Sequence, residues 1–158
     1  MRRKDIEIKD KKIMLDIMQR ADECCLAMSL NDQPYVIPVN YGFTDKAIYI
    51  HCALAGKKLE IIKQNPKVCL TFCVDMDIDM RGPANTWTTH YQSVVVFGTA
   101  ELIENLAERQ KGMNVFLTHY AGKGMDFEDK HLTRVMVIKV TINEMTGKSD
   151  LVKNLVNI

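Results

Sequence analysis

No stretch of this 158-residue sequence approaches the ~18 consecutive apolar residues that a membrane-spanning helix needs. An excess of charge of one sign is missing too. Twenty-one Lys and Arg face 20 Asp and Glu, a net charge of +1, which argues against a nucleic-acid binder that works by neutralising phosphates. The five cysteines (Cys24, Cys25, Cys52, Cys69, Cys73) contain no CxxC and no Cys/His pair at zinc-finger spacing. They lie in apolar, strand-like contexts and read as reduced thiols of a cytoplasmic protein. There is no GxSxG, no GxGxxG and no P-loop, so neither a dinucleotide fold nor a phosphoryl-transfer site is indicated. Asp75, Asp77 and Asp79 imitate the start of a calcium loop. Met80 and Thr86 stand where such a loop needs Gly and Glu, which excludes it. The basic start Arg2, Arg3, Lys4 is answered by Asp5, Glu7 and Asp10 with no apolar run behind it, unlike a secretory leader. Repeats, low-complexity tracts and linkers are absent.

What is present is a core, since 47% of residues are hydrophobic, and a patterning that is mostly β. A helix is expected from Asp10 to Ala21, capped by Asp10, with Ile13, Met14, Ile17 and Met18 on one face. Strands follow at 24–30, 35–43 and 47–52, the first two separated by the turn residues Asn31-Asp32-Gln33-Pro34. A short helix at 56–65 ends at Asn65-Pro66. A strand at 67–74, a polar loop at 75–85 and a long strand at 87–102 with a bend at Gly98 come next. Asn105 and Glu108 start a helix whose apolar stripe is Leu106, Met113, Leu117 and Tyr120 and which Gly122 stops. The last strand is 135–142. Short β connections predict an antiparallel sheet, and six strands with few helices predict a mainly β barrel. One domain spans 1–148, with a tail at 149–158 that is helical or frayed.

The segment Ile50-His51-Cys52-Ala53-Leu54-Ala55-Gly56-Lys57-Lys58 runs strand, loop, helix. Two lysines in a helix's first turn are locally unfavourable, because that end already carries partial positive charge. A docked anion reverses the sign, and free backbone N–H groups there add hydrogen bonds. Lys57 and Lys58 are therefore a candidate phosphate clamp; the alternative is that both are solvated surface lysines. Asn40, disfavoured in strands, follows Pro38, which cannot donate to a ladder. The pair marks an edge where free backbone groups could read a heteroaromatic ring, or a purely structural bulge. Both faces of Val94 to Phe97 are apolar, which in so small a protein suggests a partner subunit. Among the four histidines His51 stands out by its place beside the clamp.

Taken in order, Met1-Arg2-Arg3-Lys4-Asp5, Pro38-Val39-Asn40-Tyr41-Gly42, Ile50 to Leu59, Asn65-Pro66-Lys67-Val68-Cys69, Trp87-Thr88-Thr89-His90-Tyr91-Gln92-Ser93-Val94 and Glu144-Met145-Thr146-Gly147-Lys148 resemble the nitroimidazole-resistance (Nim-type) proteins. Those belong to the pyridoxamine 5′-phosphate oxidase-like, FMN-binding split-barrel superfamily. The resemblance implies a six-stranded antiparallel split β-barrel and a homodimer with two FMN sites at its interface. By the same resemblance, Pro38, Val39, Asn40 and Tyr41 line the isoalloxazine ring. His51, Cys52 and Ala53 border the ribityl chain and ring, and Lys57 and Lys58 hold the phosphate. Tyr91 and Ser93 approach from near the subunit boundary. The implied activity is an FMN-dependent oxidoreductase acting on a small molecule such as a nitroaromatic, with NAD(P)H a possible electron donor and His51 a catalytic candidate. The competing reading is a split barrel that binds flavin or haem without turnover.

Overall fold

The computed structural model describes residues 3–151. A 3₁₀ turn (Lys4–Ile6) leads into a two-residue strand β1 (Glu7–Ile8) and helix α1 (Lys11–Arg20). Strands β2 (Cys24–Leu30), β3 (Gln33–Val39), β4 (Gly42–Phe43) and β5 (Ala47–Cys52) follow, then helix α2 (Lys57–Gln64). The remainder is β6 (Lys67–Asp79), β7 (Thr88–Ile103), α3 (Leu106–Ala121), the single turn α4 (Asp129–Leu132) and β8 (Met136–Ser149). Six strands have six or more residues, and two short pieces, β1 and β4, complete one antiparallel sheet. No helix among the described residues is long and apolar enough to cross a membrane.

Strand order is β3-β2-β6-β7-β8-β5-β4, with β1 beside β8. The two edge strands, β3 and β4, are consecutive in the chain and joined only by Asn40 and Tyr41. The sheet therefore curls until its edges meet at a covalent link rather than a hydrogen-bonded ladder, which is the split in the barrel. Its interior holds Leu26, Ile48, Ile50, Leu70, Phe72, Val94, Val96, Ile138 and Val140, each at most 1% exposed, with Ile17 and Met18 of α1 closing one end.

Local chemistry accounts for most boundaries. The Asp10 side chain accepts from the Lys12 N–H and starts α1. Asn105 accepts from the Glu108 N–H and starts α3, and Gly122, at φ 71°, ends it. The β2–β3 turn needs only Asn31 and Asp32, both left-handed at φ 51° and 61°, so Gln33 and Pro34 already belong to β3. Gly98 marks a register shift in the β7–β8 ladder, because a Cβ there would stand 2.5 Å from the Val140 side chain.

Four features depart from the sequence expectations. The 75–85 segment is not simply a polar loop: β6 continues to Asp79, paired with β7 beyond a bulge between Val74 and Asp77. The last strand runs to Ser149, not Ile142, because its second half pairs with β7 and β1. Thus Ser149, expected in the tail, is fully buried in the sheet, while the helical or frayed segment expected beyond it lies at 152–158, outside the described residues. The buried stripe of α3 holds Arg109, Gly112 and Met113, while Tyr120 is 43% exposed. Arg109 donates to the carbonyls of Ile103, Leu132 and Val135, so its guanidinium replaces an apolar anchor where β7, α4 and β8 meet.

Candidate functional site at the barrel seam

Gly56 opens α2 in a conformation, φ 139°, that side chains rarely adopt, and no side chain caps the helix. The N–H groups of Leu59 and Glu60 turn back to the Gly56 carbonyl. Those of Lys57 and Lys58 precede the first intrahelical bond and are free to meet a ligand. A Cβ on Gly56 would meet nothing within 4 Å, so the approach to this helix end is open. The two lysines diverge. The Lys57 ammonium stands 4.6 Å from the centre of the Tyr35 ring on β3. Lys58 is half-buried and close enough to His51 to help hold its imidazole pKa below the ordinary 6.5, although burial is the larger cause. Burial also raises the Cys52 thiol, against a smaller opposing pull from Lys58. Two groups whose charged forms are disfavoured thus stand beside a cation where β5 passes into α2.

The seam forms the other wall. Asn40 and Tyr41 leave the ladder between β3 and β4, and α3 lies across the gap. The Tyr120 hydroxyl accepts from the Tyr41 N–H (3.1 Å) and the Asn40 amide (3.4 Å), and donates to the Asp22 carbonyl (2.8 Å). The Asn40 amide also donates to the Asp22 carbonyl at 3.2 Å. Tyr41 is fully buried, with its hydroxyl directed at the carbonyls of Met18 and Ala21 at the end of α1. Phe116, one turn before Tyr120 on α3, stacks edge-on against His51 with ring centres 4.4 Å apart. The Phe116 and Tyr120 centres are 5.1 Å apart, so one aromatic wall joins His51 to Asn40.

Of the residues singled out by sequence, Pro38, Val39 and Asn40 lie on the edge strand or at its end, where the outer backbone edge has no ladder partner among the described residues. His51, Cys52, Ala53, Lys57 and Lys58 follow one another along the β5–α2 passage. Tyr41 contributes its side chain to the core rather than to this surface. Tyr91 and Ser93 lie elsewhere: register places Ser93 opposite Cys73 on the outer face of β7, with β6 and β2 between it and β3. Tyr35, Phe116 and Tyr120 as site walls escaped the sequence reading. The i, i+4 aromatic pair on α3 was the available signal, but helical periodicity alone assigned Tyr120 to the core stripe.

The pyridoxamine 5′-phosphate oxidase family matches residues 10–149 of the chain. Among solved structures, a Bacteroides thetaiotaomicron protein assigned to 5-nitroimidazole antibiotic resistance is similar at 29% identity and a TM-score of 0.81, over 90% of this chain and 86% of that one. A flavocytochrome from Azotobacter vinelandii superposes at TM-score 0.80 and 19% identity, over 94% of this chain and 71% of that one. An FAD- and haem-binding protein from Mycobacterium smegmatis does so at 0.80 and 13%, over 90% and 72%. The last two identities speak for the fold alone. No curated protein sequence matches this one.

Proposed function

Since the chain belongs to the pyridoxamine 5′-phosphate oxidase family, we propose that it is an FMN-dependent oxidoreductase of small molecules, working as a homodimer with a flavin site at each barrel seam. One observation carries the reading: an uncapped helix N-terminus, opened by a glycine onto free space, begins with two cations that point to different sides. That donor set suits a phosphate monoester, which accepts backbone N–H groups and charge together. Lys57 and Lys58 would hold the phosphate, the β3 edge from Pro38 to Asn40 would border the ring, and His51, Cys52 and Ala53 would run alongside the ribityl chain. A bound flavin supplies electron transfer between a donor, here a reduced nicotinamide, and an acceptor. The likeness to the Bacteroides protein supports a nitroaromatic acceptor.

The chain's own groups have separable tasks. Phe116 and Tyr120 form an aromatic wall along one side of His51. His51, with its pKa held down by burial and Lys58, is neutral near pH 7 and can accept or return a proton at an imidazole nitrogen. Tyr91 and Ser93, distant from this seam within one chain, would complete the site of a second copy. The test is direct. The Lys57→Met/Lys58→Met protein should bind FMN at least tenfold more weakly, since one charge-assisted hydrogen bond contributes roughly 1.5–3 kcal/mol. Riboflavin, without the phosphate, should bind about as before. Equal FMN affinity in both proteins would remove the clamp and with it the basis of the reading.

A further inference from the structure

Asn40 is an exposed residue whose side-chain amide is nevertheless held in one orientation. Its nitrogen donates to the Asp22 carbonyl at 3.2 Å and to the Tyr120 hydroxyl at 3.4 Å. Both neighbours act there as acceptors. A backbone carbonyl has no proton, and the Tyr120 hydroxyl directs its own to the same Asp22 carbonyl at 2.8 Å. Turning the amide over would set its oxygen against two acceptor oxygens, so the partners identify which end is nitrogen. Asn40 Oδ1 is then the end turned away from Asp22 and Tyr120. It has no hydrogen-bond partner among the described residues, although an amide oxygen can accept twice.

The anchor of this amide is itself fixed from several sides. The Tyr120 hydroxyl accepts from the Tyr41 N–H at 3.1 Å as well. Its ring stands against those of Phe116 and His119, with centres 5.1 and 4.6 Å away. A phenol held by a backbone N–H, a backbone carbonyl and two rings has little freedom to follow a short exposed side chain. Tyr120 therefore sets the position of Asn40, and not the reverse. Only the NH₂ half of Asn40 takes part in closing the seam. The other half is an acceptor that solvent can satisfy while the seam is open, but that needs a donor on the ligand once a ring covers it.

Register adds a second acceptor nearby. The β2–β3 ladder turns through Asn31 and Asp32 and runs from the Leu30–Gln33 pair to the Cys24–Val39 pair. In a two-residue hairpin the pair that flanks the turn exchanges hydrogen bonds, and so does every second pair after it. Pro34 and Pro38 occupy the alternate positions, whose backbone groups point out of the sheet, as suits a residue without an N–H. The Pro38 carbonyl thus faces away from β2, two residues before Asn40, and Pro38 brings no donor to that edge.

We propose that Asn40 Oδ1 is a preset acceptor that selects a docked ring by an imide or lactam N–H on its edge, the group a flavin carries on its pyrimidine ring, and that Tyr120 is the positioning residue that presets it. This rests on the flavin reading, and the test separates the two. The probe is 3-methyl-FMN, in which a methyl group replaces that one proton. The parent protein should bind FMN at least tenfold more tightly than 3-methyl-FMN, because a covered acceptor without a donor is costly. Asn40→Leu has a similar volume and no acceptor, so the ratio of the two affinities should fall at least fivefold. Tyr120→Phe releases the amide, and the same ratio should fall at least threefold. A purely structural role for either residue would weaken both flavins alike and leave the ratio unmoved. The ratio is also independent of how much of a variant is folded. Equal affinity of the parent for the two flavins, or a ratio retained in Asn40→Leu, would overturn the proposal, and a ratio retained in Tyr120→Phe would end the positioning role. A parent that binds FMN no better than riboflavin, yet prefers each to its 3-methyl form, would end the phosphate clamp and uphold this acceptor. A parent that binds no flavin would end both readings.

Discussion

A single hydroxyl, that of Tyr120, ties three segments of the seam together, accepting from Asn40 and Tyr41 and donating to Asp22. Tyr120→Phe leaves the Tyr41 N–H without its acceptor, and unfolding by urea should show a loss of about 1–3 kcal/mol. A loss within error would mean that water replaces the hydroxyl. His51 yields a prediction of pH dependence. Burial and Lys58 lower its pKa, and burial lowers that of His119, so the folded chain disfavours both imidazolium ions. The unfolded chain then binds more protons as pH falls below the ordinary value of 6.5. Stability from these rings is complete above that pH and is lost as pH drops through the lower folded values. Proton NMR should find the His51 pKa below 6.5 and rising in Lys58→Met, and His51→Ala should slow turnover at least tenfold; a His51 pKa at or above 6.5 refutes the electrostatic account. Lys57, Lys58 and His51 were legible in the sequence because their neighbours are close along the chain. Tyr35, Phe116 and Tyr120 were not, because each meets the site only through the fold.

At the scale of elements, α3 decides whether the seam has a wall. It reaches β4 only because Gly42 has no side chain: a Cβ there would stand 2.4 Å from the Phe116 Cα and 2.5 Å from the Val115 carbonyl oxygen. Gly42→Ala should push α3 away and cost about 1–3 kcal/mol in stability. Since Phe116 moves with the helix, the His51 pKa should rise toward 6.5 in the same variant as its ring regains water. A variant as stable as the parent, with His51 unmoved, would show that the helix tolerates the methyl group and that its approach is not set by Gly42. The β6–β7 ribbon beyond Val74 teaches the complementary lesson. The alternation of Asp and Met or Ile over 75–80 is plain in sequence, yet the aspartates suggested a solvated loop. The bulge at Val74/Asp77, which exchanges the two faces, comes from pairing with β7 and leaves no local trace.

For the whole molecule, the outer face places three of the five cysteines where a second copy would cover them. Cys25, Cys69 and Cys73 belong to this face, and Cys73 is exposed in the single chain. Cys24, on the inner face, is 2% exposed, and burial raises its thiol far above the ordinary range. Alkylation of Cys73 should therefore be slow at high protein concentration and quicken on dilution, while Cys24 stays unreactive until the protein unfolds. Fast labelling of Cys73 at every concentration would place the interface elsewhere. Denatured, unreduced protein should titrate five thiols, since all five cysteines are free.

The sequence by itself determined what depends on neighbours within a turn or two. It set the caps at Asp10 and Asn105, the stop at Gly122, the edge character of the Pro38 strand, and the two cations that open α2. These follow from side-chain chemistry and backbone propensity acting over a few residues. Only the tertiary structure decided how the two edges of the sheet meet at Asn40 and Tyr41, which rings stand against His51, and which face of the 75–80 ribbon turns outward. Those depend on strand register and on helix placement over separations of 80 residues and more, as between Asn40 and Tyr120. Long-range pairing selects among arrangements that local propensity does not distinguish, so the two cations opening α2 could be read from one segment, while the rings around them required the whole fold.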